Sequence, residues 1–76
     1  MNYRQFVQLF PEQSEIGRDI TDTECTSYHD NGNVVGCWRV NRRDTTGKGE
    51  VLSFADAEIA RAFFRTISQL QSEKYR

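Results

Sequence analysis

Hydrophobic residues recur with helical spacing in the last third of the chain. Over residues 56–72 they form a stripe along one side of a predicted helix, and neither Pro nor Gly interrupts the segment. The stripe consists of Ile59, Ala60, Phe63, Ile67 and Leu70. Polar side chains occupy the other side, so the pattern predicts a helix that packs with one face against the rest of the domain.

Two runs before this helix, residues 34–43 and 50–54, alternate between apolar and polar side chains as half-buried strands do. Because a strand sends alternate side chains to opposite faces, each run has one apolar side. The apolar positions are Trp38, Val40, Leu52 and Phe54. We expect a hairpin that keeps all of them on the face covered by the helix.

This requirement sets a register for the hairpin. It places Val40 opposite Leu52 and leaves residues 45–47, which end in a Gly, as a three-residue loop. It also places Trp38 opposite Phe54. With Trp38 in the core, a Trp38→Ala substitution should cost about 3–5 kcal/mol.

An earlier run, residues 19–29, is rich in β-forming residues and predicts a further strand. The Asn-Gly pair at 31–32 is the strongest hairpin signal in the chain. Counting back from this turn places Cys25 opposite Trp38, with Cys37 on the other face. The two cysteines should therefore be unable to form a disulfide.

The aromatic residues of the first segment, residues 1–10, also have helical spacing, and Pro11 ends that segment. Together these elements predict a single α+β domain over residues 1–76. Its three-stranded antiparallel meander packs against a C-terminal helix, with a short N-terminal helix in addition.

The net charge of −1 conceals an asymmetry along the chain. Residues 1–30 carry six acids against two bases, whereas residues 31–76 carry eight bases against five acids. Opposite charges on neighbouring strands attract, and the predicted register sets Arg42 opposite Glu50 as such a pair. No apolar run approaches a membrane span, and the N-terminus has no signal-peptide core, so we expect a cytoplasmic protein with free thiols.

No catalytic or metal-binding pattern stands out. Cys25, His29 and Cys37 have no fourth ligand at a zinc spacing, and His29 is the only histidine. The segment 45–49 resembles a phosphate-binding loop only superficially, since it lacks the Gly-Lys-Ser/Thr sequence and joins two strands. We therefore expect no enzyme activity and no cofactor.

One helix cannot cover both faces of a sheet, so the other face is the candidate site. Tyr and Arg are favoured anchors of recognition surfaces. The candidate partner-binding residues are Glu24, Tyr28, Arg39, Asn41, Arg43 and Lys48. Two alternatives stay open: a solvated face partly covered by the N-terminal helix, and a homodimer through the edge of the first strand.

Residues 34–64 resemble the arm-type DNA-binding domain of phage integrases, which is related to plant AP2 domains. The likeness rests on a Trp-Arg strand at 38–44, a Gly-Lys turn at 47–48, a Leu-Ser-Phe strand end at 52–54 and the start of the following helix. The resemblance implies a sheet that enters the major groove of double-stranded DNA, with Arg39, Asn41 and Arg43 as the reading residues.

In size, charge and hairpin-helix plan the chain is also similar to small phage-encoded anti-CRISPR proteins. That resemblance implies an inhibitor that binds a host protein or ribonucleoprotein complex by surface complementarity. A near-neutral charge suits protein binding better than autonomous DNA binding. A protein-binding module is therefore the first expectation, and a DNA-binding domain is the alternative.

Overall fold

The computed structural model describes residues 3–74, so the first two residues of the predicted segment 1–10 lie outside it. Three antiparallel strands form one sheet in the order β1-β2-β3. The elements in chain order are α1 (Tyr3–Leu9), a 3-10 turn (Pro11–Gln13), α2 (Ser14–Arg18), β1 (Thr23–Asp30), β2 (Asn33–Asn41), β3 (Gly49–Ser53) and α3 (Ala57–Lys74). The predicted α+β fold class is confirmed.

The first strand starts later than residue 19, where the sequence predicted it. Residues 11–18 are helical, and a turn follows them directly. In this turn the backbone N–H of Asp19 donates to the Glu15 carbonyl at 2.9 Å, and that of Asp22 donates to the Asp19 carbonyl at 2.9 Å. These bonds satisfy the end of α2 and delay the start of β1 to Thr23.

The hairpin between β1 and β2 turns at the predicted Asn-Gly pair. Asn31 and Gly32 have positive φ angles of 50° and 80°, the combination that a type I′ hairpin turn requires. Asp30 lies opposite Asn33 across the turn. This local signal is therefore confirmed.

A β-bulge follows immediately and changes the rest of this ladder. The register shifts between Tyr28 and His29, which gives β2 one additional residue and leaves Val35 without an opposite residue in β1. Beyond the bulge Cys25 lies opposite Arg39. The predicted pairing of Cys25 with Trp38 is wrong because the count back from the turn contained no bulge.

The hairpin between β2 and β3 also differs from the prediction. Leu52 lies opposite Cys37 instead of Val40. The connection runs over residues 42–48 and is longer than the predicted loop at 45–47. A longer connection permits a different register between β2 and β3. The observed register differs from the predicted one by an odd number of residues, so the residues of β3 share a face with the other set of β2 residues.

Trp38 consequently lies opposite Val51 instead of Phe54. Its side chain is 38% exposed and points away from the helices. The expected position of Trp38 in the core is therefore wrong. The large loss of stability predicted for Trp38→Ala depended on that position and no longer follows. The small side chain of Cys37, fully buried, takes the central inward position of β2.

The core lies between the sheet and the helices, and α3 supplies four of the ten buried hydrophobic residues in the described range. The buried residues of α3 are Ala60, Phe63, Ile67 and Leu70, whereas Ile59, predicted to belong to the stripe, is 47% exposed. The Phe63 ring centroid lies 5.0 Å from that of Phe10 and 4.8 Å from that of Phe54. Because Phe6 and Phe10 join the same cluster, the N-terminal helix packs on the α3 side of the sheet.

Candidate interaction surface

The sheet face that points away from the helices is open, and we call it the outer face. Directly opposed residues of antiparallel strands share a face, so the ladder defines its members in three rows. The rows are Glu24, Val40 and Gly49; Thr26, Trp38 and Val51; Tyr28, Gly36 and Ser53. Within the described range, 3–74, none of these nine residues belongs to the core cluster.

Trp38 occupies the centre of the outer face. A Cβ built on Gly49 would lie 2.9 Å from Cζ2 of the Trp38 indole, so the ring covers Gly49. An aromatic ring that lies over a strand glycine protects the backbone there. The ring thus has one side on the protein and one side in solvent, in agreement with its 38% exposure.

Tyr28 and Val51 extend the apolar area around Trp38. Tyr28 is 42% exposed and Val51 is 39% exposed. Val51 lies directly opposite Trp38, and Tyr28 lies one row away on β1. Exposed aromatic side chains grouped on one face, beside polar Thr26, have the composition of a contact surface.

Two of the predicted site residues, Glu24 and Tyr28, lie on the outer face, and the basic ones do not. Arg39 and Asn41 point to the inner face, since they lie opposite the buried residues Cys25 and Thr23. The six predicted residues therefore do not form one site.

Arg39 belongs to a polar recess at the uncovered end of the inner face. Its Nη1 donates to Oε1 of Glu50 at 2.9 Å, which replaces the predicted pair of Arg42 and Glu50. Lys48 and Asn41 line the same recess of about 340 Å³. The Glu50 side chain is 59% exposed and that of Arg39 is 21% exposed, so solvent screens this ion pair.

Arg43 lies in the connection between β2 and β3, where it is held by local contacts. Its Nε lies 3.1 Å from Oδ1 of Asp22, and its backbone N–H donates to Oδ1 of Asn41 at 2.9 Å. In the same connection the Thr46 hydroxyl and backbone N–H donate to Asp44, and these bonds lower the pKa of that carboxyl. The connection is thus a turn held by local hydrogen bonds and an ion pair.

Cys25 and Cys37 lie on the same face, contrary to the sequence prediction, and both are free and buried. A hydrogen bond between the two thiols raises the pKa of Cys37 above its usual range, and burial adds to this effect. The same hydrogen bond lowers the pKa of Cys25, whereas burial opposes that shift. Cys37 therefore stays protonated at neutral pH.

An apolar recess of about 280 Å³ opens on the helical side of the molecule. Leu9, at the end of α1, is 58% exposed there, and Ile59 of α3 is 47% exposed. Phe54 and Pro11 complete its walls. This recess is a further apolar surface and is separate from the outer face.

The side chains that could bind a metal ion or take part in catalysis are dispersed over the described part of the domain. Within residues 3–74, no group of three or more His, Cys, Asp or Glu side chains is arranged to hold a metal ion. His29 is exposed, and its Nε2 lies 3.1 Å from the Ser27 hydroxyl. The helices in the described range are too short or too polar to span a membrane.

No protein-family model, curated protein or solved structure matches this chain. Inferences about function therefore depend on the geometry of the outer face. Sequence reasoning missed Trp38 and Val40 as surface residues because it assigned the larger apolar side of β2 to the core. Gly49 was a usable signal, since a strand position without a side chain leaves space that a neighbouring aromatic ring can cover.

Proposed function

We propose that this chain is a non-enzymatic protein-binding module whose contact surface is the outer face of the sheet. The observation that carries the proposal is the position of Trp38, at the centre of an uncovered face with its indole half in solvent. Large aromatic rings anchor protein interfaces because they bury much apolar area at little cost in side-chain entropy. Tyr28 and Val51 provide further contact area on either side.

Binding of this kind can inhibit a partner by covering a surface that the partner needs. The resemblance in size and plan to small phage-encoded inhibitors supports this form of the proposal. The target is then a host protein or ribonucleoprotein complex, and the gene belongs to a phage or another mobile element.

Binding of duplex DNA through the same face is the competing function, and the charges argue against it. Affinity for DNA depends on cations placed against phosphates. The expected readers Arg39 and Asn41 point to the inner face, and Arg43 pairs with Asp22. The charged member of the outer face is Glu24, which repels phosphate.

Two matched variants test the proposal by placing a lysine in each apolar surface. Val51→Lys alters the outer face at a position that is 39% exposed, and Ile59→Lys alters a position on α3 that is 47% exposed. Tagged protein is incubated with extract of the host cell, and recovered proteins are compared after circular dichroism has shown that both variants fold. We expect the parent and Ile59→Lys to recover the same partner, and Val51→Lys to lose it.

A titration with random-sequence duplex DNA at about 50 to 200 mM salt accompanies the capture. We expect no binding at the upper end of this range. DNA binding that weakens steeply with salt, or a partner lost with Ile59→Lys and kept with Val51→Lys, would contradict the proposal.

A further inference from the structure

Glu24 and Trp38 are diagonal neighbours on the outer face. Glu24 lies opposite Val40 in one row, and Trp38 lies opposite Thr26 in the next. Diagonal neighbours of an antiparallel ladder are about 7–8 Å apart, a distance that long and aromatic side chains bridge. Val40 lies directly opposite Glu24 and two residues from Trp38 on β2, and a Cβ on Gly49 would approach both Val40 and Trp38 to 2.9 Å.

Each of these three groups offers a different interaction to a ligand. The solvent side of the indole presents the negative face of its π system, which attracts a cation within about 6 Å of the ring centroid. The exposed carboxylate of Glu24 attracts the same charge. Val40 is half-buried and offers an apolar surface next to both.

We propose that the outer face receives an arginine side chain of the protein partner, with the guanidinium stacked on Trp38 and bonded to Glu24 and the aliphatic stem over Val40. This inference rests on the proposed function and names the chemistry of the partner.

Charge complementarity selects arginine over other side chains. Glu24 repels a carboxylate or a phosphate, and none of the nine outer-face residues is basic. Arg42 lies just beyond the first row, where its backbone N–H donates to the carbonyl of the acidic residue Asp22 opposite it. A guanidinium is planar, stacks on an aromatic ring and presents a fork of donors that matches a carboxylate. A lysine ammonium satisfies the charge but cannot stack, so we expect it to bind less tightly.

Fluorescence of Trp38, the only Trp in the chain, reports occupation of this site directly. The intact protein is titrated with three pentapeptides that have capped ends and the sequence Thr-Val-X-Val-Thr. The central residue X is arginine, lysine or citrulline, which has nearly the shape of arginine without its charge. We expect the arginine peptide to bind at least about fivefold more tightly than the citrulline peptide.

Glu24→Gln should reduce the preference for arginine over citrulline by about fivefold. The control Glu58→Gln removes an exposed carboxylate from α3, on the other side of the sheet, and should leave the preference unchanged. A short single-stranded oligonucleotide serves as an anionic probe and should not change the Trp38 emission.

Equal binding of the arginine and citrulline peptides, or no change of Trp38 emission with any peptide, would overturn the arginine inference. Neither result affects the capture experiment with Val51→Lys and Ile59→Lys, which tests the protein-binding function by itself. An emission change with the oligonucleotide and not with the peptides would contradict both proposals.

Discussion

Cys37 and Leu52 lie directly opposite each other in the antiparallel ladder between β2 and β3. This pair faces the helices, and its small member is fully buried beneath them. The adjacent pair, Trp38 and Val51, must therefore face away. A small inward residue thus accompanies a large outward one, which is the reverse of the usual distribution in a half-buried strand and is the basis of the proposed surface.

Trp38→Ala should cost only about 1 kcal/mol in the free energy of unfolding, because the side chain is partly exposed and leaves no core cavity. Phe63→Ala should cost about 3–5 kcal/mol, since Phe63 is fully buried among other aromatic rings. Urea denaturation measures both. Phe63→Leu keeps most of the volume and provides a folded comparison if Phe63→Ala does not fold. A loss of several kcal/mol in Trp38→Ala would place the indole in the core and invert the register.

Gly36→Ala should destabilise the sheet by about 1–3 kcal/mol through overpacking. A Cβ at this position would overlap the backbone carbonyl oxygen of Leu52, which cannot move without shifting β3. The control Gly47→Asn lies in the connection, where φ is 73° and a Cβ would meet no atom within 4 Å apart from its neighbours in the chain. Asn tolerates this conformation, so the control should be nearly neutral. Thermal unfolding of both variants tests the register, and a neutral Gly36→Ala would show that β3 lies elsewhere.

The ion pair of Arg39 and Glu50 should contribute only about 0.5 kcal/mol, because the Glu50 side chain is 59% exposed and its charge is screened by solvent. A double-mutant cycle with Arg39→Met and Glu50→Gln measures this coupling energy. The value should fall further at about 1 M salt. A coupling energy several times larger would mean that the recess is closed to solvent.

The raised pKa of Cys37 predicts a slowly reacting thiol and a pH-dependent contribution to the free energy of unfolding. An acid whose pKa is higher in the folded state stabilises the fold below its unfolded pKa, about 8.5 for a thiol, and this contribution is lost as the pH rises further. In Cys37→Ala that part of the alkaline decrease in unfolding free energy should disappear. Pulse labelling with N-ethylmaleimide at pH 8, read by mass spectrometry, should modify Cys37 only after unfolding. Rapid labelling of Cys37 in the folded protein would contradict its buried position.

Elements determined by short-range chemistry were predictable from the sequence. The Asn-Gly pair at 31–32 requires positive φ angles that few other residues adopt, and Pro11 ends α1 for a local steric reason. The apolar stripe of α3 is an equally local pattern, since one element carries it. Ile59 departs from that pattern, since it is 47% exposed and lines the recess beside Leu9.

The register was not predictable because it depends on contacts between elements. Alternation shows which residues of β2 share a face, but it does not show which face receives the helix. The bulge at Val35 and the long connection at 42–48 determine which residues of neighbouring strands pair, and neither has a distinctive sequence signal. For the candidate site, Glu24 and Tyr28 were expected on the open face and lie there, whereas Trp38 was expected inside.

The most direct test of the central claim is site-specific photo-cross-linking from the outer face. A benzophenone amino acid replaces Tyr28 in one variant and Arg65, which is exposed on α3, in the other. Both variants are irradiated in extract of the host cell. We predict a covalent adduct with one protein from position 28 that is absent from position 65 and is suppressed by excess unlabelled parent protein. An adduct formed from position 65 alone, or an adduct with DNA from position 28, would contradict the account.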